Sequence, residues 1–332
     1  MAITTQAAKM LWGRAAGRCS MPDCRIDLVL DETATDNPAL VGEMAHMVGE
    51  SINGPRGVSP LTPEERDRYD NLILLCRNHH REIDSQPSTW EVDRLRQIKA
   101  DHETWVAQSL PGYDRQRQRD DEIYASYIDY WAARVHLKEW QTWIGEVFAH
   151  GQPSLDLAVR DDLDDIPGWT LKRVWPGRYP SLEDALRNFA RVLRDFLNEF
   201  QEHATKPYPH ADFLQTDKFY KIDRWNEELY RRLFRQFEYH VDLVQDLALE
   251  LTRAGNLVCD EVRARLLPSF FLQEGRLSIL SGPHEDLTWK QRVVMYSTEE
   301  RAATHPYPGL PAFLTQRATR DWHFGVSLQP TD

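Results

Sequence analysis

Three long segments repeat apolar residues every three or four positions, the period of an amphipathic helix. The first covers residues 121–148, with Ile123, Tyr127, Tyr130 or Trp131, Leu137, Trp140 and Ile144 on one side. The second begins at Ser181, where Ser-Leu-Glu-Asp is a capping-box-like start, and carries Leu182, Leu186, Phe189, Leu193, Phe196 and Phe200. The third covers 218–253 through Phe219, Trp225, Leu229, Phe237, Val244 and Ala248, and Ala254-Gly255-Asn256 is predicted to end it. A short helix is expected at 261–267. Stretches 276–280 and 292–296 read as strands flanking a Gly-Pro turn, and the proline-rich tail past His305 reads as loop.

The first 110 residues are patterned differently, in short pieces. A helix is expected at 6–16, a turn-rich knuckle at 19–24, and a hairpin-like stretch around 26–30 and 41–48. A Gly/Pro loop at 51–63 precedes the apolar run 71–75, a helix beginning near 79–84 and another at 91–108. Leu110-Pro111-Gly112 and the charged run after it place a domain boundary there. The chain thus divides into residues 1–110, a linker at 111–120, and a mainly helical domain at 121–332 with a late β-hairpin. The fold class is α+β.

Composition narrows the function classes. With 332 residues, 41% hydrophobic and 28% charged, the chain has material for two domains with their own cores. No apolar run is long enough for a transmembrane helix, and MAITTQAAKM lacks the apolar core of a signal peptide. A cytoplasmic protein without membrane association is expected. A net charge of −12 argues against coating nucleic acid through bulk charge, but not against a local site that cuts it.

Three of the four cysteines lie in the N-terminal part, which is a metal pattern rather than a disulfide framework. Cys19-x4-Cys24 offers two thiolates, and Cys76-x2-His79 a thiolate and an imidazole. Two such turns can close a tetrahedron around a structural Zn²⁺. A second cluster comprises His46, Asn71, His80 and Asp84. On a helix His80 and Asp84 share one face and can hold one hard or borderline cation.

Cys19–Cys24, GEMAHMVGES (42–51) and YDNLILLCRNHHREID (69–84) together resemble the HNH endonucleases, the ββα-metal group. The resemblance covers about residues 5–108 and implies a small zinc-stapled ββα-metal nuclease domain. It implies His46 as the general base, Asn71 as the residue that orients it through the backbone, and His80 with Asp84 as ligands of a catalytic Mg²⁺ or Mn²⁺, with Ni²⁺ or Zn²⁺ as further options. Many family members place a metal ligand just before the base, where this chain has Ala45. Glu43 is an alternative ligand, although a structural glutamate is the plainer reading. Arg56, Arg66, Arg68, Arg77 and Arg81 are candidate phosphate contacts, with Arg56, Arg77 and Arg81 foremost as DNA-binding residues.

The string is also similar to nuclease modules fused to sensor domains in bacterial antiphage defence, including HNH effectors of cyclic-oligonucleotide signalling, and to McrA-like enzymes. The leading expectation is a metal-dependent DNA endonuclease acting as a defence effector. Its C-terminal domain would sense an activating ligand, bind a protein partner or form a homo-oligomer. The alternatives are restriction of modified DNA and a non-catalytic zinc-stapled nucleic-acid-binding module. Residues 1–110 hold 12 Lys/Arg against 17 Asp/Glu, so DNA affinity should come from a trigger or partner. In the C-terminal part Trp131, Trp140, Trp143 and Trp225 are expected in the core. The acidic run 161–165 reads as a solvated loop, and Arg231, Arg232 and Arg235 as a surface patch. His136, His203, His210, His240 and His305 show no ligand spacing, and no phosphate-binding glycine loop or nucleophile elbow is present.

Overall fold

The computed structural model describes residues 3–30, 39–109, 115–149, 151–281, 288–303 and 305–325, which belong to two compact units, 1–129 and 130–332. In unit 1 the order is α1 (Thr5–Arg14), β1 (Val29–Leu30), β2 (Ala39–Leu40), β3 (Gly42–His46), α2 (Pro63–Arg66), β4 (Leu72–Cys76), α3 (Arg77–Ser85) and α4 (Val92–Ser109). Helix α5 (Arg115–Arg134) contains the division between the units.

Residues 115–120, expected in a linker, are thus the first turns of α5; the expected breaker at 110–112 lies outside the described residues. The N-terminal part of α5 is bonded to α1. Lys9 pairs with Asp121 at 3.0 Å, and the Asp129 carboxylate accepts the Thr5 and Gln6 amides, both at 2.8 Å. Those amides have no acceptor within their own helix, so an anion at this end is the stabilising sign.

β3 and β4 pair antiparallel, His46 opposite Leu72 and Gly42 opposite Cys76. The hairpin-like stretch expected around 26–30 and 41–48 forms otherwise. β1 pairs with β2, whereas β3 takes β4 as its partner after the excursion through residues 47–71. Leu72, Ile73, Leu74 and Leu75 are all fully buried, which is why this strand is a continuous apolar run rather than an alternating one. They pack with Leu11, Ala45, Ile83 and Leu95 in one core. A Cβ on Gly42 would lie 2.8 Å from the Trp12 ring and 2.9 Å from Leu28, so the start of β3 leaves no room for a side chain.

Unit 2 continues with α6 (Trp140–Phe148), β5 (Ser154–Asp156), α7 (Leu157–Leu171), α8 (Pro180–Glu202), β6 (Ala204–Thr205), β7 (Phe213–Thr216), α9 (Glu227–Arg265), β8 (Ser278–Ser281), β9 (Lys290–Val293), α10 (Thr298–Ala302) and α11 (Leu310–Gln316). α8 buries the predicted stripe from Leu182 to Phe200 and packs along α9. β5, β7 and β6 form a small antiparallel sheet, and β8 and β9 form the late hairpin. The Gly-Pro turn predicted between those strands falls outside the described residues.

Further expectations are corrected. The helix expected at 121–148 breaks after Arg134, and His136 takes a left-handed conformation at φ +49°. The break is held by Trp143, whose indole N–H donates to the Val135 carbonyl at 3.1 Å. α9 starts nine residues later than expected, at Glu227, and runs through Ala254-Gly255-Asn256 to Arg265. Gly255 serves close packing there, because a Cβ would meet Leu277 Cδ1 at 2.7 Å. The Asn256 amide bonds the Leu277 and Val294 backbones rather than ending its own helix. The acidic run 161–165 lies within α7, where Asp162 faces Arg134 and His136. Trp225 is 72% exposed, whereas Trp131, Trp140 and Trp143 are buried as expected.

The tail past His305 carries α11 and is tied to α9. Arg320 reaches Glu250 at 2.6 Å, Arg253 reaches Asp321 at 2.6 Å, and Asp246 accepts the Phe324 amide at 2.5 Å.

Candidate functional site

The cysteine knuckle is built by local geometry. Ala16 and Gly17 both take positive φ, turning the chain out of α1. Cys19 follows the bridge between Arg18 and Asp27 and donates its amide to the Ile26 carbonyl at 3.1 Å, and the Ser20 amide donates to the Leu74 carbonyl at 2.9 Å, tying the knuckle to β4. Cys24 closes a turn on Met21. From the other side Cys76 is the N-cap of α3, and His79 stands in that helix's first turn.

The ligand atoms of Cys19, Cys24, Cys76 and His79 lie within 4.8 Å of one another. His79 Nδ1 is 3.1 Å from Cys76 Sγ and 3.6 Å from Cys19 Sγ, so it is the nitrogen that faces the thiols. Its Nε2 is 3.9 Å from Glu82, a carboxylate placed to hold the ring. Three sulfurs and a nitrogen at this spacing can hold a metal ion, and four protein donors leave no open position for substrate. Burial, with the other two thiols adding, pushes the Cys19 thiol up to about 12. A bound cation is what reverses such a shift and makes thiolates.

The second cluster lies at the end of β3 and on α3. His46 is the last residue of β3, and its Nε2 is 3.0 Å from Asp67 Oδ1. Asp67 follows α2, whose start is fixed by a reciprocal Thr62–Glu65 capping box. Asn71 is buried beneath the loop that leaves His46. It accepts the Val48 amide and donates to the Val48 and Arg66 carbonyls, all at 2.9 Å.

His80 stands between two carboxylates. Its Nδ1 is 2.6 Å from Glu43 Oε2, and its Nε2 is 3.3 Å from Asp84 Oδ2. Glu43 therefore sits on the ring nitrogen away from Asp84, the position of a carboxylate that orients a histidine. His80 Nε2 and Asp84 Oδ2 converge on the other side, where a cation would find both. Ala45 is fully buried in the core and offers nothing to this cluster.

The arginines separate into two kinds. Arg56, expected on DNA, has a side chain only 5% exposed. Its guanidinium donates to the Met47 carbonyl at 2.7 Å, the Ile83 carbonyl at 2.5 Å, the His46 carbonyl at 3.4 Å and Asp84 Oδ1 at 2.8 Å. It joins the His46 strand end to the Asp84 helix end rather than facing solvent. Arg66 is likewise buried, on the carbonyls of Gly49, Gly57 and Leu61. Arg77 and Arg81 are exposed and one turn apart on α3, and Arg68 is exposed beside Glu65.

Sequence reasoning did not single out Asp67, which sits in a charged run without periodicity. It also passed over a histidine pair in unit 2. His203 and His240 have no ligand spacing in sequence, yet their ring centroids are 4.7 Å apart, and with Glu202 they form a second group that could hold a metal ion. No protein-family model matches the sequence, and no curated protein matches it.

Proposed function

We propose that unit 1 is a metal-dependent endonuclease that hydrolyses phosphodiester bonds in DNA, built on a zinc-stapled ββα-metal scaffold. The observation that carries this reading is the convergence of His80 Nε2 and Asp84 Oδ2, with Arg56 linking Asp84 to the carbonyl of His46. A hydrolytic site needs a base and a cation held at a fixed separation, and this guanidinium spans the elements that carry them.

His46 takes the proton of the attacking water. Asp67 holds Nε2, which leaves Nδ1 as the basic nitrogen, and it offsets the charge on the ring once the proton arrives. Asn71 fixes the backbone behind the base. His80 and Asp84 would hold Mg²⁺ or Mn²⁺, with Glu43 setting the ring of His80. When bound, such a cation offsets charge gathering on the phosphate and on the leaving 3′ oxygen. The products are a 5′ phosphate and a 3′ hydroxyl. Zn²⁺ fits the Cys19, Cys24, Cys76 and His79 donor set and acts there as a structural staple. Exposed Arg77 and Arg81 supply phosphate contacts along α3.

The resemblance to defence effectors extends the proposal to a nuclease whose basal nicking is weak and rises when triggered, because an acidic unit gains little affinity from phosphate neutralisation by itself. Plasmid cleavage by the purified full chain with Mg²⁺, Mn²⁺ or EDTA tests the reading. Metal-dependent nicking should fall by about 100-fold or more in His46→Ala and in His80→Ala. Cleavage that survives His46→Ala, or that proceeds in EDTA, would end it.

A further inference from the structure

We propose that unit 2 carries a binding site for a nucleoside triphosphate, in a cavity of about 1040 Å³ walled by α7, α8, α9 and α10. Its lining includes Arg173, Arg187, Arg191, Arg194 and Arg301 against only two acids, Asp184 and Glu261. Three of the five also pair with carboxylates behind the wall, Arg187 with Glu183 at 3.0 Å, Arg194 with Asp195 and Arg301 with Asp260. The arrangement follows from one helix. Arg187, Arg191 and Arg194 are spaced four and three apart on α8, which places all three along one face.

The acids of the lining are already engaged. Asp184 accepts from Arg187 at 2.9 Å, and Glu261 accepts the Ser181 hydroxyl at 2.6 Å. Arg194 leans on Asp195 at 3.0 Å and Arg301 on Asp260 at 2.7 Å, which spends part of each guanidinium. Arg191 differs. Its guanidinium donates to the neutral Asn188 Oδ1 at 3.5 Å, and its Nε is buried without a hydrogen-bond partner. A buried guanidinium N–H without an acceptor is costly, and an anionic oxygen entering the cavity relieves it.

Arginine forks match phosphate oxygens in pairs, and several forks on one wall suit several phosphates. Trp175 lines the same cavity, with the Arg187 guanidinium 5.4 Å from its ring centroid. An indole beside cations suits a flat aromatic base carried by the phosphates. The volume lies at the upper end for small-molecule sites, enough for a whole nucleotide. The site is independent of the nuclease reading of unit 1, since every lining residue belongs to unit 2.

The test is calorimetric titration of the full chain with ATP, GTP, CTP and UTP, with tripolyphosphate and adenosine as separate arms. At least one triphosphate should bind saturably at one site per chain, more tightly than tripolyphosphate, with adenosine weaker than both. Arg191→Gln and the more exposed Arg194→Gln should each weaken binding at least about tenfold without lowering the melting temperature. Trp175→Leu should reduce the preference for the nucleotide over tripolyphosphate. The proposal is overturned by no saturable binding of any triphosphate, by binding that either arginine variant leaves intact, or by binding of tripolyphosphate as tight as of every nucleotide. Displacement by a single-stranded 20-mer at equal affinity would instead make the cavity a strand groove and reject the nucleotide site.

Discussion

At the scale of single residues, Asp67 and Arg56 set the behaviour of the groups around them. Asp67 lies 3.0 Å from His46 Nε2, whereas His80 and Asp84 are held by other groups, Glu43 and Arg56. Asp67→Asn should therefore lower the cleavage rate about 10–100-fold while leaving the half-saturating Mn²⁺ concentration unchanged. Single-turnover nicking across a Mn²⁺ titration checks this, and a shift in the metal midpoint instead of the rate would contradict it. The sequence shows the cysteine–histidine site because its ligands come in two local pairs, Cys19 with Cys24 and Cys76 with His79. Asp67 and Arg56 are not legible in the same way. Their partners lie 21 and 28 residues away, and neither separation is a period of any secondary structure. Arg56 was legible as a nearby cation, but its burial depends on a loop whose course no pattern encodes.

At the scale of elements, α9 shows where local signals mislead. Ala-Gly-Asn is a good helix terminus by composition, yet this helix continues because tertiary partners claim both residues. Asn256 is 1% exposed and makes three bonds to the backbone of residues 277 and 294. Asn256→Ala leaves three buried backbone groups without partners and should cost about 3 kcal/mol or more, measured by urea unfolding. The same helix carries a pH dependence. Burial pushes Asp242 up to about 6, Asp246 and Glu238 reinforce the shift, and Arg317 opposes it. The folded chain thus holds this proton more tightly than the unfolded chain. The stabilisation is full below about pH 4 and lost as pH rises through 6. Asp242→Asn should raise stability at pH 7.5 by about 1–2 kcal/mol after solvent screening, and should bring no gain at pH 4. Thermal melts at the two values decide it.

At the scale of the whole molecule, the two units have separate cores, and the candidate zinc site belongs to the first alone. Stripping the metal with a strong chelator should move one calorimetric transition down and leave the other in place, since the ion's binding energy is folding energy only for the unit it staples. The organisation into a cysteine–histidine part and a helical part was legible from composition. The position of the division was not, because it falls inside one continuous helix. The ion pairs that close α9 carry a last consequence, in the order of synthesis. Arg320 lies 70 residues beyond its partner Glu250, and Asp321 lies 68 beyond Arg253. At about 5–20 residues per second, the ribosome leaves Glu250 waiting roughly 4–14 s for its countercharge. Unit 1 has a wait of its own, since Glu122 lies 108 residues beyond Arg14, but it is complete before the long helix is made. The nascent chain therefore emerges with its candidate nuclease already able to fold while the long helix behind it still holds charges meant for burial, a stretch of time in which a chaperone has something to bind.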